Sequence, residues 1–228
     1  MLKSIFFDLD ETLLDFTRAE AVALSRALRA FDIEPTPHVI ERYHILNIAQ
    51  WKLMEEGKLS RVGVLTRRFE LLFEELGWDM DVSAFNDQYE MFLGEGHYFL
   101  PGAETLLQEL APRYDLYLAT NGASSVQRGR LKSAGLEPYF KGIFISEEVG
   151  YNKPSLEYFQ ASFATIPGFD PASAVIVGDS LTSDIRGGKN AGIRTCWLNP
   201  SGEEPRADII PDYTVCSLEE LPALFESM

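Results

Sequence analysis

Short apolar runs alternate with helical segments at the start of the chain and throughout its second half. Six such runs are apolar on both faces, as buried parallel strands are: residues 5–7, 115–119, 142–145, 174–177, 195–198 and 213–215. Segments 103–111, 124–134 and 154–165 have the start signals of helices, with Ser124 or Ser125 as one cap and Pro154 in one first turn. The alternation predicts an α/β fold of the Rossmann-like type, with a doubly wound parallel sheet.

Residues 16–98 break this alternation, because their apolar positions recur at helical spacing. Four predicted helices are separated by turn and cap residues: Pro35, Pro37, Gly57, Ser60, Gly77 and Asp81. The pattern predicts an α-helical cap domain, 16–98, inserted after the first strand. Residues 1–15 and 99–228 then form the Rossmann-like core domain.

The acidic composition excludes several classes of partner. The 228 residues are 46% hydrophobic, and 35 acidic against 20 basic residues give a formal net charge of −15. Phosphate backbones and anionic lipids repel such a chain, so we expect neither nucleic acid nor a membrane as partner. No apolar run approaches the ~18 residues of a membrane-spanning helix, and the first residues lack the pattern of a signal peptide. We therefore expect a cytoplasmic protein; the sequence does not predict its oligomeric state.

The two cysteines offer little chemistry. Cys196 and Cys216 form no CxxC pair, and all three histidines lie in another part of the chain. This arrangement predicts two buried, reduced thiols and argues against a zinc site.

Two carboxylates follow the first strand, at the end where open α/β sheets bind ligands. Alternation along the strand directs the side chains of Asp8 and Asp10 to the same side. The Thr12 hydroxyl can fix the turn that follows. Taken alone, this pattern is equally typical of a solvated acidic turn.

Polar residues also follow two later strands. Thr120, Asn121 and Gly122 precede a helix, whose free N–H groups can bind an anion, although an ordinary cap turn explains them equally well. Lys153 ends a turn. Asp179 and Asp184 follow the apolar run 174–177, and taken alone Asp179 is typical of a helix cap and Asp184 of a solvated helix position. The coincidence of three strand ends predicts that these groups share one crevice.

These motifs together resemble the haloacid dehalogenase superfamily of hydrolases. The DxDxT element is residues 8–12, the strand-end threonine is Thr120, the lysine is Lys153 before Pro154, and the GDxxxxD element is 178–184. The resemblance covers nearly the whole chain and implies a Rossmann-like core with a helical cap inserted after the first motif.

The resemblance also implies a role for each motif residue. Asp8 is then the nucleophile that forms an aspartyl-phosphate, and Asp10 is the acid that protonates the leaving oxygen and later activates water. Thr120 and Lys153 hold the phosphoryl group. Mg²⁺ is held by Asp8, Asp179 and the backbone carbonyl of Asp10. Asp184 supports Lys153 or a water on the metal.

The charges of these residues support a metal independently. Asp8, Asp10, Asp179 and Asp184 sum to −4, and Lys153 brings the site only to −3, which repels a phosphate dianion. Mg²⁺ and a protonated Asp10 would bring the site to neutrality. Phosphate monoesters also hydrolyse so slowly that one carboxylate cannot supply the necessary rate acceleration. A nucleophile, a metal and fixed hydrogen-bond donors are required together.

Several other functions fit parts of the pattern. Within the superfamily, a 2-haloacid dehalogenase lacks the second acid, so Asp10 argues against it, whereas a phosphomutase shares all four motifs. A receiver domain also uses acidic residues, Thr and Lys, but the DxD spacing and the long insertion do not fit it. A catalytically inactive binding protein is disfavoured because every expected position is filled.

The substrate depends on the cap, which contributes the aromatic residues Phe16, Tyr43, Trp51, Tyr89, His97 and Tyr98. We expect most of them to be core and one or two to face a ligand. Five stretches of the chain resemble the noncanonical pyrimidine 5′-nucleotidases of bacteria. They are DLDETLLDF, NIAQWKLMEEGKLSR, TNGASSVQRGRLKSAGL, SEEVGYNKP and GDSLTSDIRGGKNAGI. This implies a nucleoside 5′-monophosphate as substrate, with Asn121 and Trp51 as candidate binding residues. Sugar phosphates and phosphoglycolate remain alternatives.

Overall fold

A six-stranded parallel sheet forms the centre of the computed structural model, which describes residues 1–228. The strands are β1 (Ser4–Phe7), β2 (Asp115–Thr120), β3 (Gly142–Ile145), β4 (Ala174–Gly178), β5 (Arg194–Leu198) and β6 (Tyr213–Val215). Their order is β3-β2-β1-β4-β5-β6. All six predicted strands are confirmed, and the winding direction changes between β1 and β4, where such sheets bind ligands.

Ten α-helices surround or extend this sheet. They are α1 (Phe16–Ala30), α2 (Pro37–Glu55), α3 (Arg61–Leu76), α4 (Val82–Glu95), α5 (Ala103–Leu110), α6 (Ser124–Ala134), α7 (Ser146–Val149), α8 (Leu156–Ala164), α9 (Arg186–Ala191) and α10 (Leu221–Glu226). None of them has both the length and the apolar character that a bilayer-spanning helix needs.

Alternate residues of each central strand pack on opposite faces of the sheet. Ile5 and Phe7 belong to a core that includes residues of α5 and α10, whereas Phe6 packs with Tyr158 and Phe159 of α8. Helices therefore cover both faces, which is the doubly wound arrangement that the sequence predicts.

Helices α1–α4 form the inserted cap. They share a third core around Phe69 and Phe85, to which Val126 of α6 also contributes. The chain enters and leaves the cap at adjacent points, because the Asp15 N–H donates to the Tyr98 carbonyl at 2.8 Å and the Leu100 N–H donates to the Leu13 carbonyl at 3.0 Å. The four predicted helices are confirmed, while the limits of the two domains stay a prediction.

Three local predictions are wrong. Neither Ser124 nor Ser125 caps α6, because Ala123 is its cap residue and the Ser124 N–H donates to the side chain of Glu147. Helix α8 begins after Pro154, since Ser155 caps it through the Tyr158 N–H. Both cysteines are free, but only Cys196 is buried, and Cys216 is exposed in the segment after β6.

Candidate active site

The carboxyl ends of β1, β2 and β4 bring the predicted residues together. Phe7 lies beside Leu118 and Val177 in the sheet register, so the chain leaves all three strands at the same edge. The Asp8 N–H still donates to the Val177 carbonyl at 2.9 Å, which fixes the start of the first loop. Asp8, Thr120 and Asp179 therefore line one cavity, as do Asp10, Lys153 and Asp184.

Lys153 lies at the centre of this group and is 1% exposed. Its Nζ donates to Asp8 Oδ1, Asp184 Oδ1 and the Ala119 carbonyl, each at 2.6 Å. Burial alone would lower the pKa of Lys153, but Asp184 and Asp8 raise it well above its usual value. Lys153 is therefore a permanent cation, and its three acceptors fix its position.

Three carboxylates have more negative charge than this lysine can neutralise. Oxygens of Asp8, Asp179 and Asp184 all lie within 4.8 Å of one another. Burial, partly opposed by Lys153, raises the pKa of Asp8 to about 7, and burial also raises the pKa of Asp179. Clustered carboxylate oxygens are the ligands that Mg²⁺ prefers, so the residues present fit this ion.

Gly178 is required for this cluster. A Cβ at this position would overlap the carboxylate of Asp184, which folds back towards the end of β4. The Asp184 carboxylate also accepts from the Ser180 N–H at 3.2 Å. The glycine of the GDxxxxD element thus leaves room for the acid at the other end of the same element.

Asp10 has partners that the sequence analysis missed. Its carboxylate is hydrogen-bonded to Arg130 Nη1 through Oδ1, and it accepts from Gln127 Nε2 through Oδ2 at 2.8 Å. Arg130 is fully buried. This second cation changes the expected charge: four carboxylates and two cations leave −2 instead of −3. Mg²⁺ alone would neutralise these six groups, so charge balance no longer requires a protonated Asp10, and the proton that Asp10 donates stays a prediction.

Gln127 also connects Asp10 to Thr120. Its Nε2 donates to Thr120 Oγ1 at 2.8 Å as well as to Asp10. Because the Thr120 oxygen accepts this bond, its own hydrogen remains available to donate to a ligand. A signal for Gln127 and Arg130 existed in the sequence, since they lie three positions apart on the helix that follows Thr120 and thus share one face.

The cavity has a volume of about 250 Å³ and continues from the carboxylates into the cap. Trp51 and Asn121 line it, as does Phe16. Tyr43 and Tyr89 are instead buried in the core of the cap. Two of the aromatic residues named from the sequence, Phe16 and Trp51, thus line the cavity, and their contact with a ligand stays a prediction.

The indole of Trp51 is held in place by Asn47. Trp51 Nε1 donates to Asn47 Oδ1 at 3.1 Å, and Asn47 Nδ2 donates to the buried Glu20 at 2.6 Å. The same Asn47 oxygen accepts from Arg68 Nη1 at 3.3 Å. Arg68 and Glu90 line the cap end of the cavity too, so this end combines an aromatic wall with a cation and a carboxylate.

A family model of haloacid dehalogenase-like hydrolases matches residues 2–192. The chain belongs to this family. HAD-hydrolase YfnB from Bacillus subtilis is 42% identical over 219 residues, which are 96% of this chain and 93% of YfnB. A structure of YfnB bound to magnesium has a TM-score of 0.94 to this one and covers 98% of both chains.

Two further relatives of this haloacid dehalogenase-like hydrolase have named activities. Pyrimidine 5′-nucleotidase PynA from Streptococcus pneumoniae is 40% identical over 96% of this chain and 93% of its own. Pyrimidine 5′-nucleotidase YjjG from Escherichia coli is 35% identical over 96% of each. The similarity thus extends over both the sheet and the cap.

Proposed function

We propose that this chain hydrolyses small phosphate monoesters with Mg²⁺, and that its preferred substrates are pyrimidine nucleoside 5′-monophosphates. The observation that carries the proposal is the continuous cavity. It joins the cluster around Asp8 and Lys153 to the cap residues Trp51, Arg68 and Glu90. The similarity to two pyrimidine 5′-nucleotidases along nearly the whole chain supports it.

Asp8 is the nucleophile in this proposal. The hydrogen bond from Lys153 to Oδ1 orients the carboxylate and leaves Oδ2 for attack on phosphorus. The Oδ2–P bond forms as the bond from phosphorus to the ester oxygen breaks, which gives an aspartyl-phosphate and an alcohol. A water molecule then attacks this phosphorus as the Oδ2–P bond breaks, which releases orthophosphate and restores the Asp8 carboxylate.

Asp10 moves the protons in both steps. It donates a proton to the departing ester oxygen and later takes one from the attacking water, so it is regenerated after each cycle. Arg130 and Gln127 hold its two oxygens beside Asp8. Asp8, Asp179 and the Asp10 carbonyl would hold Mg²⁺, with Asp184 nearby, and the ion would supply positive charge that polarises the phosphoryl group.

Thr120 and Lys153 bind the phosphoryl oxygens. The Thr120 hydroxyl can donate because Gln127 already occupies its oxygen, and the Lys153 ammonium adds a fixed positive charge. Donors that are fixed before the reaction stabilise the transition state without reorganising.

The cap selects the leaving group. A base stacked on Trp51 would gain ~1–3 kcal/mol, which corresponds to a factor of roughly 5 to 150 in binding. Arg68 can donate to a base carbonyl, and Glu90 can accept from a ring N–H. We therefore expect a ranked spectrum, with uridine and thymidine monophosphates first.

A panel of phosphate monoesters tests this function. We expect hydrolysis with Mg²⁺, none after dialysis against EDTA, and less with Ca²⁺, whose looser coordination misplaces the reacting groups. Full activity in EDTA would refute the metal requirement. If sugar phosphates or phosphoglycolate exceed every nucleotide in kcat/KM, the nucleotidase assignment is wrong and the phosphatase assignment stands. Assays with and without a bisphosphate activator separate a phosphomutase.

A further inference from the structure

Arg61 connects the cap to the core through four hydrogen bonds. It is the first residue of α3, whose start is fixed by the Ser60 cap. Its guanidinium donates to the carbonyls of Asn121 at 2.6 Å and Gly122 at 2.9 Å, and to Asn152 Oδ1 at 2.7 Å. The fourth acceptor is the hydroxyl of Ser146.

Asn121 and Gly122 lie on the loop directly after Thr120, the last residue of β2. Ser146 begins α7, and Asn152 lies on the loop between α7 and α8 that carries Lys153. The two loops are already paired, since Asn121 Nδ2 donates to the Lys153 carbonyl and the Lys153 N–H donates to Asn121 Oδ1, both at 2.9 Å. Arg61 adds a bridge from the cap across this pair. One cap side chain thus contacts both loops that carry the groups for phosphoryl binding.

The orientation of the Asn121–Ala123 backbone follows from this bridge. A trans peptide directs its carbonyl and its N–H to opposite sides. When the carbonyls of Asn121 and Gly122 point at Arg61, the N–H groups of Gly122 and Ala123 point away from it. Both residues line the cavity. The Gly122 N–H donates to Thr120 Oγ1 at 3.4 Å, whereas the Ala123 N–H is suited to bind an oxygen of a phosphoryl group.

The charge of Arg61 reinforces this effect. All four of its acceptors are neutral oxygens, so no carboxylate bonded to it cancels its charge. The guanidinium therefore polarises the two peptides in the direction that favours an anion on their far side. Arg61 itself does not line the cavity, so its influence on a ligand is indirect.

We propose that Arg61 is a positioning residue that assembles the phosphoryl-binding loop when the cap docks. Binding of phosphate and docking of the cap then favour each other, because coupling between two sites is reciprocal. The inference rests on the proposed function, since it assumes that the loop after Thr120 binds a phosphoryl group.

The test measures phosphate binding separately from turnover. Orthophosphate binding is measured by titration calorimetry in MgCl₂ for the wild type, Arg61→Ala and Arg61→Lys. Arg42→Ala is the matched control, because Arg42 is also a cap arginine but bonds only to Glu75. Steady-state kinetics with UMP and with p-nitrophenyl phosphate follow for each variant, together with the melting temperature.

We expect Arg61→Ala to weaken orthophosphate binding about 10- to 100-fold, and to lower kcat/KM for both substrates by a similar factor. Added guanidinium ion should restore part of the loss. Arg61→Lys should resemble Arg61→Ala, because an ammonium cannot reach both loops. Arg42→Ala should match the wild type.

The proposal is overturned if Arg61→Ala binds orthophosphate like the wild type, if only UMP hydrolysis suffers, or if Arg61→Lys is fully active. Should the Arg61 variants fail to fold, Asn152→Ala removes one acceptor of the same bridge, and unchanged orthophosphate affinity there overturns it equally. Wild-type protein that binds orthophosphate but hydrolyses no ester contradicts the proposed function, while the binding comparison still decides the role of Arg61.

Discussion

The buried guanidinium of Arg130 holds the carboxylate of Asp10 from one side while its Nε donates to the Gly96 carbonyl at 3.1 Å. Gly96 lies just after α4, in the segment that returns from the cap to the core. One side chain therefore connects the proposed proton donor to the cap linker. The position of Asp10 depends on a residue that lies 120 positions away in the chain.

Replacing Arg130 should impair proton transfer more than binding. We expect Arg130→Lys to lower kcat for UMP about 10- to 100-fold, because an ammonium cannot contact Asp10 and Gly96 in one geometry. The loss with p-nitrophenyl phosphate should be smaller, since its leaving group needs little protonation. Arg128→Gln is the control, because Arg128 lies on the same helix but bonds to Glu148. Equal kinetics for the two variants would contradict the role.

The two acids of the first motif should fail in different ways. Asp8→Asn is expected to abolish turnover, because no other group is placed to attack phosphorus. Asp10→Asn should be slowed severely with UMP and less with p-nitrophenyl phosphate. Kinetics on both esters, with circular dichroism to verify folding, check this. An equal loss of activity on both esters in Asp10→Asn would exclude Asp10 as the acid.

The sequence predicted the parts of this site that lie at strand ends. A parallel sheet brings those ends to one edge whatever the details of packing, so Asp8, Thr120 and Asp179 could be grouped from the chain alone. Arg61 could not be grouped in this way, because its acceptors lie in distant segments and nothing in the sequence fixes how the cap is placed on the core.

The sequence could not predict the orientation of the Trp51 side chain, because that orientation also depends on residues of other helices. Helical spacing places Trp51 on a face of α2, but the hydrogen bond to Asn47, one turn earlier, directs the indole towards the cavity. Two residues four positions apart on a helix can be recognised in a sequence, but whether their side chains form a hydrogen bond depends on the residues packed around them. Here Glu20 and Arg68 fix Asn47 from other helices.

Truncation of Trp51 tests whether the base stacks on it. We expect Trp51→Ala to raise KM for UMP by a factor of roughly 5 to 150 and to leave p-nitrophenyl phosphate nearly unaffected. Trp78→Phe is the matched control, because Trp78 packs on Phe73 in the core of the cap. If Trp51→Ala damages both substrates equally and lowers the melting temperature, the residue is structural.

The cap should lose stability as the pH rises. His44 Nδ1 lies 2.6 Å from the buried Glu20, and this hydrogen bond raises the pKa of His44 above its usual 6.5. Because the folded-state pKa is the higher one, the stabilisation is complete below the unfolded pKa and disappears as the pH passes the folded pKa. Melting temperatures of wild type and His44→Gln should differ at about pH 6 and converge by about pH 9.

His38→Gln is the control for this experiment, because His38 is exposed at the start of α2. Its melting temperature should follow the wild type across the same range. A difference between wild type and His44→Gln that stays constant with pH would show that the imidazole contributes by packing instead of charge.

The adjacent linkers at Asp15 and Tyr98 bear on how such a protein can evolve. Because the chain leaves and re-enters the core at neighbouring points, the helices between them can change in sequence while the strands keep their register. Selection for activity on a new substrate can then act on the one stretch of the gene that encodes the cap. The two stretches on either side of it, which encode the residues for bond breaking, are inherited unchanged.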